Sequence, residues 1–116
     1  MGRIVIIGLG PGDPRHLTAA ARVTLCRCRG ALYFKTARHP VAGFCRDRGM
    51  RIHTLDRLFT APVTPGRAAQ AAGRILFSAV ARQPRVSYAV PGNPLDGDLT
   101  VKYLRRRAPL YGHQLK

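Results

Sequence analysis

Short runs of consecutive apolar residues alternate along the chain with stretches in which apolar positions recur every three or four residues. Ile4, Val5, Ile6 and Ile7 are consecutive, so a strand from Arg3 to Ile7 must be covered on both faces, as in the middle of a parallel sheet. "ALYF" at 31–34, Arg51 to Leu55 and Arg85 to Val90 predict three further strands. Between them lie four helical patterns. The first is predicted to start with Asp13 as N-cap and Pro14 at the first helical position, to bury Leu17, Ala20, Ala21, Leu25 and Cys28, and to end near Gly30. The second runs from Pro40 to Gly49 with Val41, Phe44 and Cys45 on its apolar side.

The clearest helical pattern follows residues 56–65, which have no periodicity and read as a loop. Ala68, Ala72, Ile75, Leu76, Ala79 and Val80 fall on one side, and Arg67, Gln70, Arg74, Ser78 and Arg82 on the other. A last helix is predicted from about Leu99 to Arg107, and "LYGHQLK" has the makings of a fifth strand. This alternation implies an α/β fold, a three-layer sandwich whose mostly parallel sheet carries helices on both faces. A chain of 116 residues is expected to form one such domain.

In a sheet of this kind ligands bind at the carboxyl ends of the strands, and both glycine-proline turns lie there. "GLGPGDP" at 8–14 follows the first strand and "PGNPLDGD" at 91–98 follows the fourth. If those strands are neighbours, the turns converge on one cleft. Three of the five acids, Asp13, Asp96 and Asp98, sit in them, although Asp13 and Asp98 also fit simple helix capping. The first turn fails as a dinucleotide fingerprint, because Asp13 stands where a third glycine is needed and no acid follows the second strand. Neither a phosphate-binding GxxxxGK[ST] loop nor a GxSxG nucleophile elbow is present. His39, beside Pro40, is the one histidine predicted to face the cleft; His16, His53 and His113 are expected at the surface.

Charge alters the picture. Twenty Lys and Arg, seventeen of them Arg, oppose five acids for a net charge of +15, which draws polyanions without any dedicated site. The arginines are dispersed, however, and only Arg105-Arg106-Arg107 forms a dense run. No stacking platform is expected beside it, because Trp is absent and the few aromatics sit within apolar runs. Nucleic acid is therefore expected to bind only non-specifically. Cys26, Cys28 and Cys45 have no zinc-like spacing and are expected to be reduced packing residues, with no metal. The absence of a long apolar run or a signal-like start predicts a cytoplasmic protein without membrane association.

"IVIIGLGPGDPRHLT" at 4–18, "TARHP" at 36–40 and "YAVPGNPL" at 88–95 resemble the tetrapyrrole (corrin and porphyrin) methylases, most closely the branch in which such a domain precedes a MazG-type pyrophosphohydrolase. The resemblance implies the N-terminal half of a two-domain methyltransferase that uses S-adenosylmethionine. It places the cofactor on Pro91, Gly92, Asn93, Pro94 and Leu95. The substrate, a tetrapyrrole-like or unidentified small molecule, would lie against Gly8, Gly10, Pro11, Gly12 and His39, with Asp13 orienting it or accepting a proton. Asn93 stands where many members carry an acid, and the strongly basic balance departs from the family. A missing C-terminal domain or a second copy of the chain would close the cleft. The alternatives are a non-catalytic regulatory domain of the same fold and a basic nucleic-acid-binding module.

Overall fold

The computed structural model describes residues 2–10, 12–13, 15, 17–27, 30–94, 97–112 and 114–115. Five strands form one wholly parallel sheet in the order β3-β2-β4-β1-β5. They are β1 (Arg3–Gly8), β2 (Ala31–Phe34), β3 (His53–Thr54), β4 (Arg85–Val90) and β5 (Gln114–Leu115). β1 and β4 are neighbours over their full length, from Arg3 opposite Arg85 to Gly8 opposite Val90. The four expected strands are present and the tail supplies the fifth. β3 is two residues rather than five, because an edge strand has a partner on one side only.

The consecutive apolar run in β1 divides between two cores as its pleat requires. Ile7, with Leu32, Phe34 and Ala89, packs under α1 (Ala19–Cys26) and α2 (Pro40–Asp47). Ile4, with Val86, Tyr88 and Val90, packs on the other face under α4 (Pro65–Arg82) and α5 (Leu99–Arg107). α4 buries a wider stripe than its periodicity suggests: Ala69, Gly73 and Phe77 are inside as well as the expected face, because α5 packs against its flank. A Cβ on Gly73 would run into the Tyr103 ring of α5, so this glycine sets how closely the two helices approach. Ile75, expected in the core, is half-buried.

Two helices differ from expectation. α1 begins at Ala19 with Thr18 as its N-cap, the Thr18 hydroxyl accepting from Ala21 N at 3.1 Å; Asp13 is not the cap. Its carboxylate instead accepts from the Arg15 backbone N at 2.9 Å and from the Arg15 guanidinium at 2.8 Å. α1 also ends at Cys26, earlier than Gly30, and Ala20 is exposed. Residues 56–60, expected within a loop, form the short α3 (Asp56–Thr60), whose Leu58 and Phe59 pack on the α4 side. α2 matches its sequence signals at both ends: Pro40 opens it, and Gly49 at φ +75° follows it.

Cys45 is fully buried, whereas Cys26 is exposed and so does not pack as expected. Cys28, Pro11, Pro14, His16, Leu95, Asp96 and His113 lie outside the described residues. Among the described residues no helix is long and apolar enough to cross a membrane. No three His, Cys, Asp or Glu side chains among them are grouped to hold a metal.

Candidate functional site

From the end of β1 the chain turns to α1 on one face of the sheet, and from the end of β4 it turns to α5 on the other. Adjacent parallel strands whose connections diverge leave a crevice between their carboxyl ends. Both glycine turns open there, and they are bonded to each other. Gly92 N donates to Gly10 O at 2.9 Å, Gly10 N donates to Gly92 O at 3.3 Å, and Leu9 N donates to Val90 O at 2.9 Å. The parallel ladder of β1 and β4 thus continues into a small antiparallel bridge.

Glycine is required here at two positions for different reasons. At Gly8 a Cβ would lie 2.8 Å from Pro94 Cδ and 3.2 Å from Gly92 O, so the second turn sits directly on the end of β1. At Gly92 φ is +69°, and a Cβ would meet nothing within 4 Å. The second turn therefore leaves open space on the Cα side of Gly92, while its backbone N and O stay bonded to Gly10, in a conformation that L side chains resist. An open concavity of about 570 Å³ adjoins it, with Gly8, Gly10, Ala21, Gly92, Asn93 and Pro94 among its lining.

His39 fastens this assembly from α2. It is 7% exposed and is the N-cap of α2. Its Nδ1 accepts from Val41 N at 3.2 Å, which leaves Nε2 to donate to Gly10 O at 3.1 Å. Gly10 O thus receives both the second turn and the imidazole. The loop that delivers His39 is held in turn by Asp56, whose carboxylate accepts from Ala37 N at 2.9 Å. Hydrogen bonds from Thr36 and Ala37 hold the Asp56 carboxyl below its ordinary value, and Arg38 and Arg46 add to the effect.

On the other side, Asp98 anchors the far end of the second turn. One carboxylate oxygen caps α5 by accepting from Val101 N at 2.9 Å, and the other meets Lys35 Nζ at 3.1 Å. Lys35 also lies 4.9 Å from the Phe59 ring centroid. Between β4 and α5 the hydroxyls of Tyr88 and Thr100 are buried near each other, and neither has a partner in good hydrogen-bond geometry among the described residues. Burial pushes the Tyr88 phenol far above its ordinary value; the Asp98 charge adds to the rise and Thr100 opposes it.

The concavity brings together Gly8, Gly10, Gly92, Asn93 and Pro94, but Gly12, Asp13, His39 and Pro91 do not line it. Asp13 is paired with Arg15, whose guanidinium is raised above its ordinary value by that hydrogen bond and charge. Thr18, Ala20, Ala21 and Thr24 of α1 supply a wall that sequence reasoning missed. Thr18 followed by three alanines is a visible start signal, overshadowed by Asp13-Pro14. Lys35 and Asp56, also missed, carry no local signal, since their partners are distant in sequence.

Residues 3–109 match the sequence profile of the Tetrapyrrole (Corrin/Porphyrin) Methylases. The uncharacterized protein YabN of Bacillus subtilis strain 168 is 31% identical over 115 residues, which are 99% of this chain and 23% of YabN. Among solved structures, a uroporphyrin-III C-methyltransferase from Thermus thermophilus superposes with a TM-score of 0.66 at 20% identity, over 98% of this chain and 45% of that one. A Thermus thermophilus uroporphyrin-III C-methyltransferase complexed with S-adenosylhomocysteine gives a TM-score of 0.60 at 22% identity, over 99% of this chain and 43% of that one. The chain thus spans less than half the length of each of these proteins.

Proposed function

The chain belongs to the tetrapyrrole methylase family, and on that premise we propose that it is the N-terminal domain of a methyltransferase that binds S-adenosylmethionine or its product. The observation that carries the reading is the bond between the two glycine turns at Gly10 and Gly92, beside an open cleft where the connections of β1 and β4 diverge. Its chemistry fits the cofactor. With Gly92 N and O engaged by Gly10, the turn meets a ribose, an adenine edge or an amino-acid group through the carbonyls of Pro91, Asn93 and Pro94 and the Asn93 side-chain amide, and Leu95 is the remaining residue assigned to the cofactor by the family resemblance. The apolar part of the lining suits the remainder.

When bound, S-adenosylmethionine supplies a sulfonium methyl group, whose transfer depends mainly on aligning donor and acceptor. The work of this chain is to hold one wall still. Gly8 and Gly10 shape the wall assigned to the substrate, the resemblance adds Pro11 and Gly12 to it, and His39 fixes Gly10 from behind. Asp13, drawn to Arg15, is suited to orienting a substrate; accepting a proton would require it to give up that pair. A second domain or a second copy would close the cleft, as supported by the greater length of the relatives. The branch fused to a MazG-type pyrophosphohydrolase is the context we favour.

Titration of S-adenosylhomocysteine into the chain by calorimetry at physiological salt tests this. Saturable one-site binding is expected, and Gly92→Leu should abolish it in a variant titrated well below its own melting temperature, which a side chain at φ +69° should lower. Absence of heat across several temperatures would overturn the cofactor site, and methyl transfer by the chain alone would overturn its need for a second wall.

A further inference from the structure

α4 and α5 leave a second concavity between them, of about 670 Å³, which shares no lining residue with the cleft described above. Phe77, Tyr103 and Tyr111 meet there from three separate parts of the chain. The Phe77 ring lies 4.9 Å from Tyr111, edge to face, and 6.1 Å from Tyr103. Tyr111 is 51% exposed, an unusual position for a large ring with a partner already on one side.

Guanidinium groups frame these rings. Arg74 and Arg107 both line the concavity, Arg107 lies 5.4 Å from the Tyr103 ring centroid, and no acid is among the lining residues. Arg105 and Arg106 extend the positive charge along the last turn of α5. The stacking platform that the sequence did not reveal is thus assembled by folding, next to the one dense basic run.

We propose that this groove binds a nucleotide unit, a flat base beside a phosphate, with the base against Tyr111 and the phosphate between Arg74 and Arg107. Aromatic faces combined with arginine are the recurring means of holding bases and phosphates together without sequence preference. An acidic peptide would use the arginines and have no need of the rings. Free nucleotide and single-stranded nucleic acid present the same unit, and the two are separated by experiment.

Binding of a fluorescein-labelled oligothymidylate of about 10 nucleotides is measured by anisotropy at about 0.15 M ionic strength, with ATP and polyglutamate as competitors. Tyr111→Ala leaves the charge unchanged. It is expected to weaken binding by about five-fold or more, the low end for losing one base–aromatic stack, while Tyr111→Phe retains it. Arg74→Ala with Arg107→Ala should weaken binding more than Arg46→Ala with Arg57→Ala, which removes equal charge elsewhere. Competition by ATP would assign the site to nucleotides in general; a sensitivity to Tyr111 seen only with the oligonucleotide would assign it to single strands. Binding indifferent to Tyr111→Ala in a variant that melts like the parent, or polyglutamate competing as well as ATP and oligonucleotide, would overturn the proposal.

Discussion

His39 carries two hydrogen bonds with one ring, and each can be removed separately. His39→Ala deprives Val41 N of its cap and Gly10 O of one of two donors in a buried setting, for an expected loss of about 1–3 kcal/mol in denaturant unfolding. His39→Asn can still cap α2 but is too short to replace the donor at Gly10, so it should recover only part of that loss. Asp56 acts one step behind, through pH. Its carboxyl is lowered from 3.8 in the folded protein, so its contribution is complete above the unfolded value and disappears as pH falls through the folded one. The difference in melting temperature between the parent and Asp56→Asn should therefore be flat from neutral pH down to about pH 5 and shrink below pH 3.8. At this scale the sequence was half legible. Asp98 is readable as a cap because its partner is three residues away, whereas Asp13 obeys the same local rule and loses it to Arg15. Lys35 and Asp98, 63 residues apart, become partners only through the order of the strands.

Among elements, β1 and β4 were legible because each must be covered on both faces, and a strand so constrained leaves a continuous apolar signature. α3 was not legible. Five residues cannot display a helical period, and its register is fixed by Leu58 and Phe59 meeting the core, a tertiary effect that overrides weak local preference. The α4–α5 contact shows how far packing exceeds propensity. By propensity alone Gly73→Ala should stabilise an 18-residue helix by about 1 kcal/mol. The new Cβ, however, collides with the Tyr103 ring of α5, and overpacking at such a contact costs about 1–3 kcal/mol. We expect Gly73→Ala to lower stability on balance. In a Tyr103→Leu background, which removes the obstructing ring, the same change should become neutral or favourable. Chemical denaturation of the four variants reads the coupling directly.

For the whole molecule, the net charge of +15 does not act evenly. Arg105, Arg106 and Arg107 occupy the last turn of α5, where the helix dipole favours positive charge by about 0.3–1 kcal/mol per residue. At the amino ends of the central strands the opposite holds. Arg3 faces Arg85 in the register of β1 and β4, and Arg27 of the α1 end lines the same concavity, so like charges converge from two elements. Cross-strand like charges cost a few tenths to about 1 kcal/mol, and no acid is among the described residues that line that concavity. Added salt screens exposed charges, shortening the reach of their repulsion to a Debye length of about 8 Å at physiological salt. The melting temperature of the chain should rise as sodium chloride is added from low ionic strength. Arg85→Gln should raise it by about 2–4 °C at low salt, and this gain should fade as salt increases. Arg106→Gln, by contrast, should give no gain at low salt, because it sits where the helix end welcomes the charge. Equal stabilisation by both substitutions would mean that the destabilising term is the summed field of the molecule and not the meeting of Arg3, Arg27 and Arg85.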